Sequence, residues 1–254
     1  MQVNILGFGN MGQAIAKALL ANRFSAKIIV SDKSKVAASG VSFDADFRTL
    51  ARADVVIIAV KPQDVPVLAG QVRGKIRDGA VVVSIAAGLK INKLKRLFRH
   101  GKIVRVMPNL GLSVGQGIAA WKSAGLLAAE KRLAQKFLNA VSENFEVGDE
   151  KLIDAVTAIS GSGPAYFFYF AESLGKAARR LGLSQKQSLL LVSKTMAAAA
   201  ELQGEGDYQA LIAKVRSKKG TTDAALKVFQ KRKFFTIVNQ AVTAAHRRAE
   251  ELSK

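Results

Sequence analysis

The feature that most constrains the fold lies at the start of the chain. An apolar run, Val3 to Leu6, is followed at once by Gly7-Phe8-Gly9-Asn10-Met11-Gly12 and then by a helical pattern from Gln13 to Ala21. Glycines at this spacing each have a separate task. Gly7 permits a tight turn, Gly9 lets backbone approach a diphosphate, and Gly12 lets the helix pack closely on the strand. Alone the pattern is common; between a strand and a helix it points to a dinucleotide site. Gly7, Gly9, Asn10, Met11 and Gly12 are its candidate contacts.

The rest of the N-terminal half repeats the alternation. Apolar runs at 27–30, 55–60, 80–85 and 103–107 read as strands, with a further candidate at 117–121. Continuous Val/Ile runs, rather than alternating ones, imply strands buried on both faces. Strands separated by helices imply βαβ units, and so a doubly wound, mainly parallel sheet. From about Gly148 the strands stop and helical periods begin: 164–181, closed by Gly182; a helix opened by a Ser184/Gln187 capping box and running to about Leu202; then 207–215, 222–230 and 234–252. Two domains are therefore expected, a dinucleotide-binding α/β domain over 1–148 and an all-α domain over 149–254. The stretch Tyr166 to Phe170 is apolar nearly all round, which demands burial on every side. A small helical domain offers too little cover, so self-association through the C-terminal helices is expected.

Composition narrows the chemistry. There is no cysteine, which excludes disulfides, thiolate ligands and a cysteine nucleophile, and suits a reducing cytoplasm. The two histidines, His100 and His246, stand apart from any metal-like cluster, so both read as surface or structural residues and no metal is expected. The net charge of +20 is spread over both halves, +13 in 1–148 and +7 in 149–254. No nucleic-acid motif accompanies it, so solvated basic faces are the preferred reading. The longest uncharged run, Ala155 to Ala171, is broken by Gly-Ser-Gly-Pro and is short for a membrane span. Neither a secretory signal nor a nucleic-acid or membrane partner is expected, and a cytoplasmic location is.

Further site candidates fall at strand ends and helix starts. Ser31 stands where an acid would accept from the 2′-OH of NAD, and Lys33 and Lys35 add positive charge for the 2′-phosphate of NADP. Asp32 argues the other way; the balance favours NADP, with NAD left open. Ala59-Val60-Lys61-Pro62 and Met107-Pro108-Asn109 end strands at the carboxyl edge, where ligands bind in such sheets, and Ser84 to Gly88 is a small-residue loop at the same edge. Ser160-Gly161-Ser162-Gly163 before Pro164 reads as a donor-rich loop feeding a helix N-terminus, or as a tight interhelical turn. In Ser217-Lys218-Lys219-Gly220-Thr221-Thr222-Asp223, Thr221 or Thr222 would cap the next helix, and free N–H groups with two hydroxyls suit a carboxylate, although an ordinary cap explains the residues as well.

Taken together, these motifs resemble the pyrroline-5-carboxylate reductases over nearly the whole chain. Asp154 to Tyr166 is the most specific part, and the segments at 59–62, 84–88 and 107–109 fall in family order. The resemblance implies a Rossmann domain followed by an all-α dimerisation domain, with dimers often assembled into larger rings. It implies NAD(P)H-dependent reduction of 1-pyrroline-5-carboxylate to L-proline, the last step of proline synthesis. By the same resemblance Ser217, Gly220 and Thr221 hold the substrate carboxylate, Thr222 contacts the ring nitrogen, and Glu205 is an acid near the substrate. The chain departs from the family pattern at Lys218 and Lys219, where Pro and Gly are usual, at Leu110-Gly111, where Thr-Pro is usual, and at Asp46, where Asn is frequent. Two other readings remain: another Rossmann-plus-helical reductase, and a non-catalytic dinucleotide-binding relative.

Overall fold

The computed structural model describes residues 1–34, 38–203 and 207–253. They divide into two units, residues 1–162 with 245–254 and residues 163–244. This differs from a change at 148/149. Strands do end before Gly148, but residues 149–162 pack on the sheet, and the end of the last helix returns to it.

The first unit contains one sheet of eight strands: β1 (Gln2–Leu6), β2 (Lys27–Ser31), β3 (Ser42–Phe43), β4 (Val55–Ile58), β5 (Val81–Ser84), β6 (Ile103–Pro108), β7 (Ile118–Ala124) and β8 (Glu143–Glu146). Their order is β3-β2-β1-β4-β5-β6-β7-β8, and every neighbouring pair is parallel except β6 with β7. The order reverses between β1 and β4, which makes their carboxyl ends the switch point of the sheet. The doubly wound, mainly parallel architecture expected from the apolar runs is the one observed. β3 and β8 were not expected, since one has two residues and the other, Glu-Asn-Phe-Glu, carries no apolar run.

The helices of this unit are α1 (Asn10–Ala21), α2 (Val65–Val72), α3 (Ile91–Phe98), α4 (Ala128–Val141) and α5 (Leu152–Val156). Side chains alternate across each strand, so every strand feeds two cores. Val3, Ile5, Val55, Ile57, Val81 and Val83 pack with Ile15 and Leu19 of α1 and Phe137 and Leu138 of α4. Leu6, Val56, Ile58 and Val82 pack with Leu68 and Val72 of α2 and Leu94 and Phe98 of α3. Each such buried side chain contributes about 1.5–3 kcal/mol of transfer free energy. His100 is buried, its Nε2 lying 2.7 Å from the Ala80 carbonyl, which is the structural role expected of it.

The stretch before Pro164 is not a loop. After α5 the chain keeps helical angles and makes one π-turn over Thr157–Gly161, in which the Ser162 N–H donates to the Thr157 carbonyl at 2.9 Å. An N–H used in that way offers nothing to an anion, so the donor-rich loop reading is corrected here. Gly161 packs closely on β6: a Cβ there would stand 2.5 Å from Cε of Met107, so that side chain would have to move.

The second unit is helical throughout its described residues: α6 (Gly163–Arg180), α7 (Gln185–Leu202), α8 (Tyr208–Val215), α9 (Thr221–Lys231) and α10 (Phe234–Leu252), the last counted with the first unit from Ala245 onward. Gly182 ends α6 at φ 96°, and the Leu183 N–H donates to the Ala178 carbonyl, a left-handed cap of the glycine kind. Ser184 and Gln187 form the reciprocal capping box at the start of α7. Among the described residues 163–244, no apolar side chain is buried in the single chain, and Phe167, Tyr169 and Phe235 are 68%, 73% and 79% exposed. Helices so apolar and so bare call for a second copy to cover them.

Candidate active site

In the first unit, the glycine motif stands at the carboxyl end of β1. Gly7 has φ 97°, and a Cβ there would lie 2.8 Å from backbone atoms of Ala59 and Val60. A Cβ on Gly12 would stand against the Gly7 carbonyl oxygen, which is the close helix–strand approach the motif predicts. Gly9 differs: among the described residues, nothing lies within 4 Å of its Cβ position. It is the N-cap of α1, a helix of 12 residues, so its open side faces the positive end of the helix dipole. Two glycines are therefore filled by the protein's own backbone, and the third leaves room where a diphosphate would lie. Asn10 and Met11 form the first turn of α1. The dinucleotide fits this cradle.

The end of β2 is arranged differently from the sequence expectation. Ser31 is buried, and its hydroxyl donates to the Asp44 carbonyl at 2.6 Å, so that proton is already committed. Asp32 takes the position facing the glycine turn. Its Oδ2 accepts the Phe8 N–H at 2.6 Å, and its Oδ1 accepts the Ser34 N–H at 3.1 Å. Lys33 reaches Asp64 after β4, 3.6 Å away, with its side chain 85% exposed; such a pair adds little stability. Lys35 lies outside the described residues. Asp44 is also held in place. Burial opposes its charge, but the Thr49 hydroxyl and the N–H groups of Thr49, Asp46 and Arg48 outweigh that and keep its carboxyl below the usual range.

At the carboxyl ends of the neighbouring strands, Ala59 and Val60 lie beside Gly7, while Lys61 and Pro62 are exposed. Lys61 takes extended angles and Pro62 opens a short 3-10 turn. Asn109 caps the turn after β6, and its Oδ1 accepts the Ile118 N–H at 3.2 Å, which ties the start of β7 to the end of β6. Gly88 does not admit a ligand: with φ 73°, it lies where a Cβ would meet the Leu252 carbonyl at the end of α10. The small residue there serves the chain's own return.

In the second unit, Ser217 to Asp223 forms the turn into α9. The N-cap is Gly220, with no side-chain cap, so neither Thr221 nor Thr222 caps the helix; they are its first and second residues. Gly220 is required because a Cβ would collide with the Ser217 hydroxyl. Lys219 has φ 62°, the left-handed conformation that glycine adopts without strain. The loop has thus kept the geometry of a glycine while carrying a lysine. Asp223 is held below the usual carboxylate range by its hydrogen bond to Lys227, with Arg216 3.8 Å away. The first turn of α9 therefore presents N–H groups, two hydroxyls and surrounding positive charge. Glu205 lies outside the described residues.

Sequence reasoning missed a buried polar cluster in the first unit. Arg105 on β6 is 2% exposed; it donates to Asp154 Oδ1 at 2.7 Å and to Glu150 Oε1 at 3.1 Å. Ser253 donates to Asp154 at 2.8 Å. A charged residue inside an apolar strand run, Ile103-Val104-Arg105-Val106, is the signal that could have found it, since a buried arginine needs an acid. Among the described residues no group of His, Asp and Glu is arranged to hold a metal, and no helix is long and apolar enough to cross a membrane.

Comparison with known proteins decides the family. Residues 150–252 match the family described as pyrroline-5-carboxylate reductase dimerisation, and residues 2–88 match the family described as NADP oxidoreductase coenzyme F420-dependent. The chain is 35% identical over 263 residues to the pyrroline-5-carboxylate reductase of Aquifex aeolicus, covering 99% of this chain and 97% of that protein. This chain belongs to the pyrroline-5-carboxylate reductase family. The reductase of Pseudomonas aeruginosa is 34% identical, with 100% of this chain and 97% of that protein covered. Among solved structures, a reductase of this family from Coxiella burnetii superposes with a TM-score of 0.90 at 32% identity, covering 99% of this chain and 98% of that one. The NADP-bound reductase of Plasmodium falciparum does so at 0.87 and 30%, covering 100% and 98%. Membership of this family and the bare apolar helices agree: the chain self-associates through its C-terminal helices.

Proposed function

We propose that this chain is a pyrroline-5-carboxylate reductase that uses NADPH, with NADH as an alternative donor, and forms L-proline in the last step of proline synthesis. The geometry of the first unit carries the cofactor half of this reading: the glycine cradle is closed at Gly7 and Gly12 and open at Gly9, before the N-terminus of α1. Gly9, Asn10 and Met11 hold the diphosphate, and Gly7 and Gly12 shape the turn that presents them; Ala59, Val60, Lys61, Pro62 and Asn109 border the carboxyl edge beyond it. Ser31 acts through Asp44 rather than by direct contact, and Lys33 remains available to a 2′-phosphate. Full-length likeness to the Aquifex and Pseudomonas reductases supports the substrate half.

Bound nicotinamide dinucleotide supplies a hydride. A cyclic imine becomes a good hydride acceptor once its nitrogen is protonated, so one hydride and one proton convert it to the amine and no covalent catalyst is required. The residues of the α9 turn suit the remaining tasks. Ser217, Gly220 and Thr221 hold the substrate carboxylate at a helix N-terminus. The Thr222 hydroxyl orients the ring nitrogen or its proton. Glu205 is assigned near the substrate by family pattern alone. We also read the protein as cytoplasmic, in keeping with a chain without cysteine.

NADPH oxidation in the presence of 1-pyrroline-5-carboxylate tests this reading. Turnover is expected, and Thr222→Ala should lower kcat while leaving NADPH affinity unchanged. Folded protein that binds NADPH and gives no turnover would overturn the assignment, and a fully active Thr222→Ala variant would overturn the role of Thr222.

A further inference from the structure

The turn into α9 is built from residues that do not favour it. The Ser217 carbonyl accepts the Gly220 N–H at 3.0 Å, which closes a β-turn with Lys218 and Lys219 at its centre. Lys218 keeps a negative φ and Lys219 has φ 62°, the signs of a type II turn. Such a turn takes proline readily at its first central place and glycine at its second. Two lysines supply neither a fixed φ nor freedom from a Cβ, and a left-handed lysine opposes the turn. Something outside the turn must therefore hold it shut.

Asp223 is placed to do so. It is the third residue of α9, and its side chain is 15% exposed. Its carboxylate accepts the Lys219 N–H across the turn. The same carboxylate is fixed by Lys227 Nζ at 2.8 Å, one helical turn further along α9, and faces Arg216 Nε at 3.8 Å, at the end of α8. An acid at the third helical position that reaches back to a backbone N–H resembles half of a capping box. The other half, a side-chain cap, is absent here. Gly220 packs against the Ser217 hydroxyl, so a turn held at Lys219 holds Ser217 as well. All of these residues belong to the second unit.

We propose that Asp223 is the positioning residue of the substrate turn: through the Lys219 N–H it fixes Ser217, Gly220 and Thr221 in the arrangement that takes the substrate carboxylate. This rests on the reading of that turn as the substrate site. Charge alone predicts the opposite effect, since an acid beside an anionic substrate repels it. Removing Asp223 therefore lowers KM if the residue acts only by charge, and raises KM if it acts by position.

Steady-state kinetics of the full-length protein with NADPH and 1-pyrroline-5-carboxylate tests this. Asp223→Ala should raise KM for the imine roughly three- to tenfold, the worth of one hydrogen bond, with kcat within about twofold of wild type. Asp223→Asn keeps an acceptor for the Lys219 N–H and should fall between the two. Unchanged NADPH affinity reports that each variant is folded; if the alanine variant does not fold, the asparagine variant is read in its place. A second background separates positioning from general support of the helix. With Lys218→Pro and Lys219→Gly the turn is set by its own residues, and Asp223→Ala should then change KM less than about twofold. An unchanged or lowered KM in the natural background would overturn the proposal. An equal rise in both backgrounds would also overturn it, since that marks a residue of the fold. Wild-type protein that binds NADPH and does not reduce the imine would instead refute the reductase reading, and this proposal with it.

Discussion

Removing the carboxylate of Asp154 perturbs the least replaceable contact of the first unit. Arg105 and Asp154 have side chains 2% and 5% exposed, and their Nη2–Oδ1 distance is 2.7 Å. Breaking a buried pair from one side costs about 3–5 kcal/mol, because the remaining charge is stranded away from water. Two features set the value here. Glu150 still faces Arg105 at 3.1 Å, but it is 25% exposed and its Oε1 also accepts the Ile91 N–H, so it offsets only part of the loss. Ser253 loses its acceptor as well, at about 1 kcal/mol. Asp154→Ala should therefore destabilise the first unit by roughly 3–4 kcal/mol, or roughly 6–15 °C in Tm for a chain of this size. The double variant Arg105→Met with Asp154→Leu should recover most of that stability, since two apolar groups strand no charge. Urea unfolding followed by the single tryptophan, Trp121, buried on β7 beside β6, reads both effects. Protomer concentration must be held constant, because association contributes to stability. A loss below 1 kcal/mol for Asp154→Ala, or a double variant no more stable than the single one, would refute the reasoning.

Three further outcomes are expected. Asp32→Ser removes a carboxylate from the 2′ end of the cofactor cradle and should raise the NADPH-over-NADH ratio of kcat/KM by roughly tenfold, from the lost repulsion of a nearby charge; an unchanged ratio would show that Asp32 serves only the Phe8 turn. Lys219→Gly should stabilise the protein by roughly 0.5–1 kcal/mol, since relief of the left-handed lysine exceeds the added chain entropy of glycine; chemical denaturation that finds a loss would contradict the φ of 62°. Asp44 has a folded pKa below its unfolded value, so its contribution is present above the unfolded pKa and is lost as pH falls through the folded one. Stability measured from pH 6 down to about pH 3 should therefore fall more steeply in the wild type than in Asp44→Asn.

The candidate site was only partly legible. Gly7, Gly9 and Gly12 could be read because each answers a local requirement of a turn, an open approach or a close packing. Ser31 was misjudged: it occupies the expected place at the end of β2, but its hydroxyl turns to a carbonyl 13 residues away in the chain. For the stretch before Pro164 two readings stood open, a donor-rich loop and a tight turn, and the close-packed one is observed. Small residues suggest a loop when read along the chain, whereas here they let a π-turn lie against Met107.

By itself the sequence determined what depends on neighbours in the chain. Strand and helix periods follow from which side chains must leave water, the Ser184–Gln187 box from groups three residues apart, and the glycine turn from backbone sterics. Only the tertiary structure decided the pairings between distant segments. The edge strands β3 and β8 exist because a partner strand supplies their hydrogen bonds, not because their own residues favour them. Arg105 meets Asp154 across 49 residues and Ser253 across 148, and that meeting brings the end of α10 back to the sheet. A buried charge states that it needs an acid; which acid satisfies it is settled by the path of the chain in space.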